Sequence, residues 1–392
     1  MPEGASFCPR CGGRLLPDGS FCPRCGLDVR FLWQGANGTA EGPRDGGWGK
    51  LLRIAGAWTS LPMLLALFAM TATAIWGAGL VLPEIGDLGI TLFIIVPSLV
   101  DIVEIMGPGA VLIYMVFLLA VIASFIWMLY EGRGLYEREL KGQKLEKHSA
   151  LYTMATLFFA LIFFQLIYYL VILGGQDVNN SNVGTLPLWM QLYFLLEASV
   201  WEEIITRVLY LGLPMMVVMA LRQDGRQKWY RYLWGNFELD RWAMLFIFFS
   251  SAMFALGHLQ NWDLFKLLPT FFVGLSLGYL FVRYGLYAAI MLHFSFDYLS
   301  LPSQALGGTL PLLGTGLLML LFAAVGLPYS LLYAKKGLEA VLERPLTLPA
   351  RKKEEEEEEY VYIPRLVCPY CGHGTIRVHD QDYECLNCKK RF

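Results

Sequence analysis

The sequence predicts an all-α polytopic membrane protein of about eight transmembrane helices, with a small cysteine-knuckle domain at each end. Three observations predict it. Of the 392 residues, 56% are hydrophobic and 16% charged, with a mean hydropathy of +0.48, whereas soluble domains are about a quarter charged. Several apolar runs exceed ~18 residues, enough to cross a hydrocarbon core of about 30 Å. The eight cysteines fall outside those runs, in two groups of four. A net charge of −2 argues against a nucleic-acid partner.

Residues 1–30 contain Cys8-Pro-Arg-Cys11 and Cys22-Pro-Arg-Cys25. Paired CxxC knuckles supply four thiolates to a tetrahedral zinc, and Gly12 and Gly26 ease the tight turns that follow. The same pattern recurs at Cys368-Pro-Tyr-Cys371 and Cys385-Leu-Asn-Cys388, within residues 365–392. Both ends therefore read as zinc ribbons, with two structural zinc ions in all. Disulfide clips are the alternative, but the two-residue spacing suits a metal better. Residues 31–49 are a Gly-rich, polar linker. The first forty residues are polar rather than a basic stub before an apolar run. No cleavable signal is expected, and insertion rests on the internal spans.

The transmembrane domain is expected at 50–336, with spans near 56–80, 109–130, 150–173, 187–221, 242–260, 266–284, 286–301 and 309–333. The 187–221 stretch is too long for one straight span, so a kink or break is expected near Gly212 or Pro214. The 286–301 stretch is short. Residues 88–106 are apolar but hold Pro97, Asp101 and Glu104, and read as an external surface helix or re-entrant segment. Basic residues set the orientation. Lys50, Arg53, the 133–147 cluster, the 222–231 cluster, Arg283, Lys335 and Lys336 alternate with loops at 81–108, 174–186 and 300–308 that lack Lys and Arg. Both termini are thus expected in the cytosol. Residues 337–364, with six consecutive glutamates from Glu354 to Glu359, read as a solvated charged linker.

Three apolar segments carry ionisable groups. Placing such a group in a bilayer costs from roughly 2.5 to well over 10 kcal/mol, so a functional reason is expected. Residues four apart share a helix face, which pairs Glu203 with Arg207, Phe254 with His258, and His293 with Asp297. Glu202 points about 100° away from Glu203 on a helix of 3.6 residues per turn, so the two acids are expected to have different tasks. One carboxylate with a histidine can polarise a water as general base. The other can hold Arg207, and the second histidine with its partner can stabilise an oxyanion.

These residues also carry a family resemblance. Trp201-Glu202-Glu203-Ile204-Ile205-Thr206-Arg207 looks like the EExxxR motif of the CPBP intramembrane proteases, which include the type II CAAX prenyl endopeptidase. Phe254-Ala255-Leu256-Gly257-His258 resembles that family's FxxxH motif. His293-Phe294-Ser295-Phe296-Asp297 resembles its HxxxN motif, with Asp in the last place. The resemblance covers about 150–305. It implies an eight-helix endopeptidase, glutamic-type or assisted by a catalytic zinc, with a cavity open to the membrane. Carried over, Glu202 and His258 activate water, Glu203 and Arg207 support them, and His293 with Asp297 stabilises the oxyanion. The implied substrate is a membrane or lipidated protein, and the ribbons are expected to meet a cytosolic protein partner. Asp297 for Asn, and Val208 for a frequent Gly, depart from the pattern. They leave open a non-catalytic adaptor with a degenerate protease fold that presents the ribbons. A transporter using these acids as a relay is a third reading, which the absence of visible inverted repeats disfavours.

Overall fold

Backbone amides in lipid must find partners within their own segment, and the long apolar runs do so as helices. The computed structural model describes residues 47–172, 174, 182–222, 228–260, 262, 264–342, 368–371, 376–378, 383–385 and 387–391. Cys8, Cys11, Cys22, Cys25 and the glutamate run lie outside the described residues. The chain divides into two compact units, Met1–Ala334 and Lys335–Phe392.

In the first unit, α1 (Gly47–Leu88) leads into a hairpin of β1 (Ile90–Val96) and β2 (Ser98–Ile105). Helices α2 (Pro108–Leu140), α3 (Ala150–Ile172) and α4 (Leu188–Glu203) follow. After α4 the helix widens into a π segment, Ile204–Gly212, and resumes as α5 (Leu213–Leu221). Then come α6 (Tyr230–Trp234), α7 (Arg241–Gly257), α8 (Leu267–Arg283), α9 (Leu286–Tyr298), α10 (Leu301–Leu306) and α11 (Thr309–Leu342). Among the described residues, seven helices are long and apolar enough to cross a membrane. The chain is therefore a polytopic helical membrane protein.

The eighth expected span is α9. Its 13 residues measure about 20 Å, short of the hydrocarbon thickness. Ala288 through Ser295 are all buried, because α9 packs against α2, α3, α4 and α8. It is a core helix shielded from lipid by its neighbours.

One expectation needs correction. Residues 88–106 are not a helix: β1 and β2 pair antiparallel from Ile90↔Ile105 to Val96↔Ser98, with an irregularity at Leu92/Phe93. The strands ITLFIIV and SLVDIVEI are dominated by β-branched residues, which suit a pleated strand. Pro97 sits in the turn, and Gly89 and Gly107, both at positive φ, bracket the hairpin. Helix α11 continues to Leu342.

The break expected near Gly212 or Pro214 is the π segment. Pro214 lacks the amide hydrogen that an α-helix needs. Just before it, the Leu213 N–H reaches back five residues to the Val208 carbonyl. Gly212 is needed there: a Cβ would lie 2.2 Å from the Tyr232 carbonyl oxygen. Helices α7 and α8 approach through Gly274 and Gly278, where added Cβ atoms would meet Ser251 at 3.0 Å and Ile247 at 2.9 Å. Small residues four apart let helix backbones approach closely in a membrane.

In the second unit, β3 (Ile376–Val378) pairs antiparallel with β4 (Tyr383–Cys385). The Lys389 N–H bonds the Cys385 carbonyl at 2.8 Å, and the Cys385 N–H bonds the Lys390 carbonyl at 3.0 Å. This folds the second knuckle back on the strand.

Candidate active site

Helix α4 delivers Glu202 and Glu203 at its last turn, the π segment delivers Arg207, α7 ends at Gly257 beside His258, and α9 delivers His293 and Asp297. The three sequence-predicted pairs meet around His293. Its Nδ1–H donates to Glu203 Oε1 at 3.0 Å. Its Nε2 lies 3.4 Å from Asp297 Oδ2 and 3.9 Å from Glu202 Oε2. The two glutamates thus address opposite nitrogens of one ring, the division expected from their 100° offset.

Glu203 is committed on both oxygens, because Arg207 Nε donates to its Oε2 at 3.0 Å. Both side chains are completely buried. Arg207 Nη1 donates to Ser250 Oγ at 2.5 Å, and that hydroxyl donates to the Thr206 carbonyl at 2.6 Å. The Thr206 hydroxyl in turn donates to the Glu202 carbonyl at 2.5 Å. Hydroxyls therefore bond one main-chain carbonyl at the end of α4 and one in the widened segment, and the same chain of bonds fixes the guanidinium. The Arg207 guanidinium also stands 5.5 Å from the Phe254 ring centroid, a cation–π distance.

Glu202 and Asp297 are the acids left partly open, with side chains 14% and 19% accessible. Among the described residues, Glu202 Oε2 and Arg207 Nη2 are buried atoms without a hydrogen-bond partner. Buried polar atoms are rarely left so, and each calls for a water, an ion or a reacting group. Asp297 Oδ2 accepts from the Ser199 hydroxyl at 3.1 Å.

His258 is turned by its own backbone. Its Nδ1–H donates to the Phe254 carbonyl at 2.8 Å, and a carbonyl only accepts, so Nε2 carries the lone pair. Phe254 makes edge-on contacts with both imidazoles, at 4.8 Å to His258 and 5.6 Å to His293. The FxxxH spacing therefore places the phenyl as a wedge between the two histidines.

Residues 184–299 match the type II CAAX prenyl endopeptidase Rce1-like family. That stretch runs from just before α4 to just after α9 and contains all six candidate residues. No curated protein and no solved structure matches the chain.

Several groups around the candidate site were not anticipated. Ser250 and Ser251 form a polar pair inside an apolar span, and that pairing was the available signal. Ser199 lies one turn before Glu203, on the face that reaches Asp297. The hairpin sits against the site as well. The Trp201 indole N–H donates to the Phe93 carbonyl at 3.0 Å, and the Tyr210 hydroxyl to the Ile95 carbonyl at 2.5 Å. Lys266, at the start of the α8 span, lies within Coulombic reach of Glu202 and Asp297.

Of the described residues, Cys368, Cys371, Cys385 and Cys388 are the group of metal-binding side chains whose ligand atoms all lie within 4.8 Å of one another. The intramembrane acids and imidazoles do not meet that spacing among the described residues. The four thiols are free. Cys368 and Cys388 sulfurs are 3.6 Å apart, and those of Cys371 and Cys385 are 3.4 Å apart. A disulfide would need about 2.05 Å. Four 2.3 Å bonds to one tetrahedral ion put the sulfurs about 3.8 Å apart, so the cluster fits a metal.

Proposed function

We propose that the chain is an intramembrane endopeptidase in which Glu202 and His258 activate a water for attack on a peptide carbonyl. The observation that carries this reading is the clamped His293. One nitrogen is tied to a buried Glu203–Arg207 pair, while the other faces two acids that stay partly open. A purely structural histidine has no need of three carboxylates.

In the reaction, water oxygen bonds to the scissile carbon and its proton passes to Glu202. His258 Nε2 accepts the water's other hydrogen bond and orients it. The developing oxyanion receives a hydrogen bond from His293 Nε2 when that nitrogen carries a proton, with Asp297 holding the ring. Glu202 then returns its proton to the amide nitrogen as the carbon–nitrogen bond breaks. Positioned general acid–base groups contribute roughly 10²–10⁴-fold. No step is routed through a metal.

The substrate class that fits a site carried by membrane-spanning helices is a membrane or lipidated protein. Both termini are assigned to the cytosol by the basic loops. Cys368, Cys371, Cys385 and Cys388 would hold a structural zinc whose binding folds the ribbon, and the N-terminal cysteines would hold a second. The ribbons then offer surfaces to a cytosolic protein partner.

Comparative proteomics of membranes carrying wild type or Glu202→Gln tests the reading. Proteins that accumulate uncut in the variant support it, and identical proteomes contradict it. The adaptor reading is favoured by Asp297, which replaces an amide. It predicts a bound partner whose length is the same with either form of the enzyme.

A further inference from the structure

The hairpin at 90–105 presents an open strand edge beside the proposed catalytic residues. We infer that β2 is a docking strand that takes an extended, basic peptide segment of the substrate as a third strand. This inference rests on the protease reading above.

The first argument is hydrogen bonding. Successive outward groups of a strand recur every second residue. On β1 these include the carbonyls of Phe93 and Ile95, which accept from Trp201 and Tyr210. On β2, the described residues supply one outward partner: Gln260 Oε1 accepts from the Leu99 N–H at 3.0 Å. Val100, Asp101, Ile102, Val103 and Glu104 are all exposed. The hairpin also reaches into the span, since Tyr210 belongs to the Leu188–Leu221 helix and Ile95 packs on Gly257. An open sheet edge does not persist in hydrocarbon, so β2 must face water or another strand.

The second argument is placement. Trp201 immediately precedes Glu202, and Gln260 is two residues after His258. Two of the three contacts that fix the hairpin, those of Trp201 and Gln260, thus come from beside the proposed water-activating pair. A peptide laid along β2 is in reach of them, in the extended form that strand addition imposes.

The third argument is charge. Residues 81–108 contain Glu84, Asp87, Asp101 and Glu104, and neither Lys nor Arg. Asp101 and Glu104 are exposed on β2 itself. That surface complements Lys or Arg side chains and repels acidic ones.

The test uses the full chain in lipid nanodiscs, as Glu202→Gln, with fluorescent octapeptides: alternating Val-Lys, alternating Val-Glu, and Val-Lys N-methylated at every second residue in either phase. The Val-Lys peptide should bind, one N-methyl phase should lose binding roughly tenfold or more, and Val-Glu should bind weakest. Asp101→Lys with Glu104→Lys should reverse the charge preference without changing thermal stability. Equal binding of both charge types, or indifference to N-methylation and to the double variant, overturns the inference. Wild-type protein with the same peptides reads cleavage separately. Cleavage that needs Glu202 but ignores β2 leaves the protease reading intact and removes the docking strand. Strand-dependent binding without any Glu202-dependent cleavage does the reverse.

Discussion

At the residue scale, the account separates two adjacent acids that the sequence writes as a pair. Glu203 is structural in effect: it is sealed from solvent and tied to Arg207 and His293. Removing one partner of a buried ion pair typically costs about 3–5 kcal/mol. Glu203→Gln should therefore lower the melting temperature sharply in detergent. Glu202→Gln, with no hydrogen bond to lose at Oε2, should melt as wild type while losing turnover. Equal destabilisation by the two substitutions would refute this division. Ser250→Ala strips a partner from both Arg207 and the Thr206 carbonyl. It should cost about 1–3 kcal/mol, the penalty of buried groups left unpaired, read as a melting shift that Ser250→Thr partly restores. The six ionisable residues were legible in the sequence because charge within an apolar run demands a reason. Ser199 and Ser250 were not, since a hydroxyl in a span commonly satisfies its own helix, as Ser251 does on the Ile247 carbonyl.

At the element scale, the two glutamates end α4 while Arg207 lies in the π segment that follows. Sequence showed that the 188–221 helix must deviate near Pro214, but not that it would do so by widening. In the π segment the Thr206 carbonyl is bonded by Ser250 from α7, a partner that sequence spacing does not reveal. The hairpin escaped for a different reason: an apolar 19-residue stretch satisfies a membrane-helix pattern whatever its β-branched content. The Ile/Val/Thr enrichment around a central Pro97 was the signal that distinguished it. The α7–α8 contact carries its own prediction. Gly274→Leu would drive a side chain into the backbone of Ser251, separating the helices that hold Ser250 and His258. It should destabilise by about 1–3 kcal/mol and reduce turnover. Gly314→Leu on α11, where an added Cβ meets nothing within 4 Å, should do neither.

At the scale of the whole molecule, composition and span length revealed a helical membrane protein directly, because lipid leaves few alternatives. The short α9 differs from the long spans in being buried by protein rather than by lipid. The C-terminal four-cysteine cluster followed from spacing alone. Full-length protein should release zinc to a chelator or to a thiol-blocking reagent, and Cys385→Ser should retain about half the zinc of wild type by elemental analysis if each ribbon holds one ion. Unchanged zinc content would contradict the assignment. The central claim is that Glu202 and His258 together activate the attacking water. Its most direct test is turnover of one identified substrate by wild type, Glu202→Gln and His258→Ala, reconstituted in liposomes and matched for folded protein by melting. The account predicts a loss of roughly 10²–10⁴-fold in each variant, with both still folded. Undiminished turnover in both would contradict it.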